Sequence, residues 1–159
     1  MARLPEEIQQ YALNRWYNFW SQKAVYQIFA EHPQTTPIFN HYDEAEAFLI
    51  QNIPFKIKFN VFPYHFARTL RYAIRHKEEL VYWYYRKTQA SSTAEQYNQL
   101  FIILYQRDGE HWRMKAEFPM LSKFINSYLD NFDIHKTIRL HLFGDKMNYA
   151  DIIWCIREE

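Results

Sequence analysis

The chain has 159 residues, a formal charge of +1, 19% aromatic residues, two glycines and one cysteine. That length suits a single domain with a sizeable core, and the balanced charge names no partner by itself. Gly109 and Gly144 are too few for a dinucleotide fingerprint or a P-loop, and Cys155 alone makes neither an internal disulfide nor a cysteine zinc cluster.

The opening MARLPEEIQQ has no apolar core of the signal-peptide kind. No apolar run approaches the ~20 residues that span a bilayer. The expectation is a protein of a reducing cytoplasm with no membrane partner. Pro5 suits a first helical turn, and Glu6 and Glu7 suit the positive end of a helix. Ile8, Tyr11, Ala12, Trp16, Phe19, Tyr26 and Phe29 then recur at roughly helical spacing, which predicts a long helix from Glu6 to Ala30. EHPQTTPIFNHYD, with Pro33 and Pro37, reads as a loop.

AEAFLI and IPFKIKFNVF read as paired strands turning at Gln51-Asn52, with Pro54 tolerated near the start of the second and Pro63 ending it. A second long helix is predicted from Tyr64 to Lys87, its apolar face formed by Phe66, Leu70, Ala73, Ile74 and Val81. After the polar connection TQASSTAEQYN, the run QLFIILYQ is a strand buried on both faces. RDGE turns, and HWRMKAEF extends the sheet. PMLSKFINSYLDNF is a third helix with Leu121, Phe124, Ile125 and Tyr128 on one side. TIRLHLF and ADIIWCI close the chain as strands. The fold class is α/β (α+β), a mixed sheet flanked by helices in one domain.

Within IPFKIKFNVF, Phe55, Ile57, Phe59 and Val61 alternate with Lys56, Lys58 and Asn60. Strand residues two apart share a face, so two like charges stand side by side. Arg68, Arg71 and Arg75 follow at spacings of three and four, beside His76 and Lys77, as a basic helical stripe. VYWYYRK then interleaves Tyr82, Trp83, Tyr84 and Tyr85 with Arg86 and Lys87, a composition that grips phosphates and stacks on bases, or simply snorkels around a core. The seven histidines make no HExxH or HxxxH, and Glu110-His111 reads as the edge of a turn. No serine stands in a GxSxG elbow, and Cys155 in DIIWCI reads as a buried thiol, so covalent hydrolase chemistry is disfavoured.

The order helix, strand pair, helix, buried strand, over roughly Glu6 to Tyr105, resembles the core of the PD-(D/E)XK nuclease superfamily, the restriction-endonuclease-like fold. The resemblance implies an acid on or before one strand, and a second acid and a lysine as D/E-x-K on the next. The acids share Mg²⁺, and the lysine helps orient water. Lys58 matches the lysine. Lys56 stands where the second acid belongs. Asp43, Glu44 and Glu46 are the candidates for the first acid and metal ligand; Glu46 shares a face with Phe48 and Ile50, Ala47 with Leu49, and the register is open. Three readings of the lysine pair follow: a solvated or partner-facing strand, a degenerate nuclease site that needs no cofactor, or an active Mg²⁺ nuclease with an acid supplied by Asp43, Glu44, Glu46, Glu6 or Glu7. The degenerate reading expects Lys56, Lys58, Arg68, Arg71 and Arg75 to contact nucleic acid, or a protein partner to dock there. A third class of function is an interaction module that dimerises through Tyr82 to Tyr85.

Overall fold

A computed structural model describes residues 5–39, 45–87, 98–143 and 146–158. Helix α1 (Glu6–Glu31) leads into a meander of β1 (Thr35–Phe39), β2 (Ala45–Ile50) and β3 (Ile53–Val61). Helices α2 (Leu70–Arg75) and α3 (Lys77–Lys87) precede β4 (Gln99–Gln106). A 3₁₀ helix (His111–Ala116), α4 (Phe118–Asp130), β5 (Ile138–Phe143) and β6 (Lys146–Arg157) complete the order. The six strands form one mixed sheet in the order β1-β2-β3-β4-β6-β5. β4 pairs in parallel with both β3 and β6, and the outer pairs are antiparallel.

Helices cover both faces. Val25 and Phe29 of α1 and Leu121, Ile125 and Leu129 of α4 pack with Phe48, Phe55, Ile57, Leu100, Ile102 and Leu104. Ala73, Leu80, Val81 and Tyr85 pack on the other face with Phe101, Ile103, Ala150 and Ile152. β4 is therefore buried on both sides, as its unbroken apolar run predicts. The β2–β3 turn falls at Gln51 and Asn52, both with positive φ (50° and 67°), the backbone of a tight two-residue hairpin. Cys155 is buried, and burial pushes its thiol up to about 12.

Four expectations are corrected. The loop after α1 contains β1, whose Pro37 is tolerated because β1 is an edge strand. His32 helps anchor this corner. Its Nδ1 accepts from the Gln34 amide at 3.1 Å, so Nε2 carries the hydrogen that it donates to Asp130, 2.8 Å away. Thr35 Oγ1 donates to the Phe29 and His32 carbonyls at the end of α1. The second helix does not run from Tyr64 to Lys87. It starts at Leu70, capped by Thr69 Oγ1 accepting from the Tyr72 amide, and breaks at His76 (φ −129°, ψ 53°). Glu78 and Glu79 in the first turn of α3 mark its restart. HWRMKAEF does not extend the sheet. Gly109 (φ 86°) turns the chain, and Met114 of the 3₁₀ helix enters the α1–α4 core. In α1 the apolar residues of the first half, Ile8 to Phe19, are exposed, and only the second half is core. The connection over 88–97 lies outside the described residues.

One charge is buried in the apolar strand β6. Asp151 accepts from Lys77 Nζ of α3 at 2.8 Å, from the Tyr128 hydroxyl of α4 at 2.7 Å and from the Ile152 amide at 2.9 Å. Burial, then the Asp151 charge, raises the Tyr128 hydroxyl pKa, so it stays protonated and donates. Removing the carboxylate strands Lys77 in a partly desolvated place. Asp151→Asn is expected to cost about 2–4 kcal/mol and Tyr128→Phe about 1 kcal/mol, measured by urea unfolding; equal stability of wild type and Asp151→Asn would contradict this role.

Candidate functional site

The lysine pair lies at the limit of the described pairing between β3 and β2. Ala47 of β2 lies opposite Lys56, Phe48 opposite Phe55, and the pairing continues to the turn. In the other direction the described pairing with β2 reaches Lys56, residues 40–44 lying outside the described residues, while β4 stays paired to β3 through Val61. Residues paired across a sheet share a face. Phe55 and Ile57 enter the α1–α4 core, and Lys56, Lys58 and Asn60 take the face of Ala47, Phe101 and Ile103. Both lysines are half-buried. A shallow cleft of about 210 Å³ opens along β3, lined by Lys56 to Asn60 and by Gln22 and Tyr26 of α1.

A further cation lies on the opposite, α1 face of β3. Lys115, on the 3₁₀ helix, donates to Asn18 Oδ1 at 2.8 Å and lies 6.0 Å from the Phe59 ring centroid. Burial lowers its pKa. Sequence reasoning missed it because HWRMKAEF reads as a strand, and no local spacing ties position 115 to β3. Asn18 stands one helical turn before Gln22, which places this ammonium close to the cleft.

The acids are placed less favourably for a metal. Asp43 and Glu44 lie outside the described residues. Glu46 belongs to β2, and the residue opposite Lys56 is its neighbour Ala47. Glu6 and Glu7 begin α1, at least fifteen residues and about 22 Å of helix from Gln22. Among the described residues no three His, Cys, Asp or Glu gather as a metal group. A hard divalent cation wants oxygen ligands. Along the strand face Lys58 is flanked by Lys56 and Asn60, and its partner in β4 is Phe101. The described residues here do not fit Mg²⁺.

The arginine stripe is divided. Arg71 lines a second cleft with Thr69, Leu70, Tyr105, Arg107 and Glu158, near the carboxyl end of β4, and this cleft shares no residue with the first. Arg68 lies over the Tyr72 ring at 4.6 Å, and the Tyr72 hydroxyl donates to Glu79 at 2.7 Å. Arg75 is exposed at the end of α2 and lines neither cleft. The run Tyr82 to Tyr85 is not an open aromatic surface. Tyr85 is core, Trp83 and Tyr84 are half-buried, and only Tyr82 is exposed. Tyr84 stacks on Phe101 with centroids 5.0 Å apart and donates to the Val61 carbonyl at 3.2 Å. Compared with family models, curated proteins and solved structures, the chain finds no match.

His111 closes the carboxyl end of β4. Its ring stacks on Tyr105 at 4.8 Å, with Phe62 edge-on to both, and its Nδ1 accepts from the Gln106 amide at 2.7 Å. Glu110 turns away to pair with Arg113 at 2.5 Å. Burial holds the His111 pKa below its usual 6.5. A histidine kept neutral in the fold protonates first in the unfolded chain, so its stabilising contribution is present above about pH 6.5 and is lost as pH falls through the folded value. Thermal melts between pH 7.5 and pH 5 are expected to show this loss, and His111→Phe is expected to reduce it.

Proposed function

We propose that this chain is a nuclease-like domain that has exchanged its metal chemistry for cationic contacts, and that it binds the phosphate backbone of nucleic acid beside the lysine pair of β3. The observation that carries the reading is the pair Lys56 and Lys58 on one strand face, with Ala47 and not an acid opposite Lys56. The element order supports it: α1, the β2–β3 pair, the helices α2 and α3 and the buried strand β4 follow one another in the order on which the restriction-endonuclease-like resemblance rests, with β1 as an additional strand before the pair. In such a domain the lysine of D/E-x-K keeps its place at Lys58. The lysine at position 56 turns a cation-binding strand into an anion-binding one.

Half-buried ammonium groups beside a cleft interact with phosphate more strongly than fully solvated ones, because less water screens them. Lys115 adds a cation on the α1 face of β3, and Arg71 adds one at the separate cleft near the carboxyl end of β4. The contacts read charge and carry no base code, so the binding is expected to be sequence-tolerant.

The test is anisotropy with labelled duplex and single-stranded oligonucleotides over a salt series. Affinity is expected to fall steeply with salt, and the double variant Lys56→Ala/Lys58→Ala to flatten the duplex slope by about 2. No binding, or affinity indifferent to salt, would sink the reading. Cleavage on incubation with Mg²⁺ or Mn²⁺ that is lost in Lys58→Ala would replace it with an active nuclease whose acid is relocated.

A further inference from the structure

Helix α1 carries two apolar faces on opposite sides of its length. In its second half Ser21, Val25 and Phe29 are buried against the sheet. In its first half Ile8, Ala12, Leu13, Trp16, Phe19 and Trp20 form a different stripe, and all are exposed. Trp16 and Val25 are nine residues apart, about two and a half turns, so the stripe faces away from the core that holds the helix. Trp16 is 63% exposed, Leu13 60%, Trp20 52%, Ile8 50% and Phe19 49%. Aromatic side chains bury roughly 150–250 Å² each, so the stripe leaves on the order of 500 Å² of apolar surface in water. That matches the largest patches of ordinary monomers, which are commonly functional.

We infer that this stripe is a homodimer interface, in which the first halves of two α1 helices pack antiparallel about a two-fold axis near Trp16. The pattern is self-complementary. Ile8, Ala12, Trp16, Phe19 and Lys23 recur at spacings of four, four, three and four. Antiparallel pairing about Trp16 sets the small Ala12 of one copy level with the large Phe19 of the other, and Ile8 level with the stem of Lys23. The charges agree. Glu6 stands near the amino end of the stripe and Lys23 at its carboxyl end, so antiparallel copies bring acid towards base, and parallel copies bring like towards like; Glu7, about five turns before Val25, lies on the opposite side of the helix. Arg15 lies off the stripe, its guanidinium 5.8 Å from the Tyr11 ring.

The geometry and area also fit. Because the stripe faces away from each copy's own core, the two bodies lie on opposite sides of the helix pair and do not collide. Two stripes bury about 1,000 Å², the threshold of a specific interface, which sets a dissociation constant on the order of micromolar. A membrane surface suits the stripe less well. Residues 6–23 carry two acids and two bases, with no basic face for anionic lipid. This inference is independent of nucleic-acid binding, since Ala12 and Trp16 line neither cleft.

The experiment is sedimentation velocity and light scattering on the whole chain, without nucleic acid, from about 1 to 100 µM, a span that brackets a micromolar constant. A shift from 19.7 kDa to twice that mass with concentration is expected. Trp16→Glu is expected to weaken dimerisation by about 30-fold or more while leaving the circular-dichroism melt of the monomer unchanged, since the ring touches solvent there. Lys23→Glu should weaken it several-fold, and adding Glu6→Lys should restore it. A chain that stays monomeric throughout, including one that instead sediments with anionic phospholipid vesicles, overturns the proposal, as does a dimer indifferent to Trp16→Glu. A dimer that Lys23→Glu weakens and Glu6→Lys does not restore overturns the antiparallel register.

Discussion

Parallel strands cannot be joined by a hairpin, and this constraint shapes the whole molecule. β3, β4 and β6 run the same way, so the chain must cross a face of the sheet between each pair. The first crossover, α2 and α3, takes one face; the second, through α4, takes the other, where α1 also packs. β4 is left with no solvent face and carries Leu100 to Leu104 without a polar interruption. The carboxyl ends of the three strands gather at one rim, where Phe62, Tyr105 and His111 pack together and Arg107 and Arg157 emerge. The antiparallel meander on the flank is under no such demand. Its β3 carries Lys56 and Lys58 on the face opposite Phe55 and Ile57.

Asp151 sits inside this ladder at a position where apolar neighbours would be the ordinary choice. Its desolvation is offset by an ammonium, a phenol and a backbone amide. The phenol comes from α4 and the ammonium from α3, so one carboxylate engages helices of both layers. Lys77 also donates to the Lys136 carbonyl, just before β5 begins. An apolar replacement of similar volume would pack, but it would not fix where α3 starts after the break at His76. The ion pair therefore specifies an arrangement more than it adds stability.

The alternation of IPFKIKFNVF was legible because a strand's period of two leaves no choice of faces, and QLFIILYQ was legible because only a central strand tolerates such a run. The turn at Gln51-Asn52 was legible from where the two runs meet. β1 was hidden because Pro33 and Pro37 read as loop punctuation, and an edge strand is where that rule fails. The break at His76 was hidden because apolar periodicity runs across it; Glu78 and Glu79, the acids of a new first turn, were the available signal. Lys115 and Asp151 depend on contacts between residues far apart in sequence, which no local pattern carries. The arginine spacing reads as one helical stripe, but α2 starts at Leu70, so Arg68 precedes it, and only Arg71 lines a cleft.

The case of α1 sharpens the last point. Periodicity identified the helix but not which of its residues are buried, because the apolar residues of 8–19 and those of 25–29 follow different stripes of one cylinder. A helix read as one amphipathic unit assigns both stripes to one core. In the fold the sheet is long enough to cover only the second half, and the first half keeps its tryptophans in water. Gln22 and Tyr26 stand at the boundary, where the stripe ends and the cleft along β3 begins. A substitution at Trp16 leaves the cations of β3 untouched, and substitutions at Lys56 and Lys58 leave the stripe intact. The proposed self-association and the proposed phosphate binding therefore draw on different elements, α1 and β3, and the loss of either says nothing against the other.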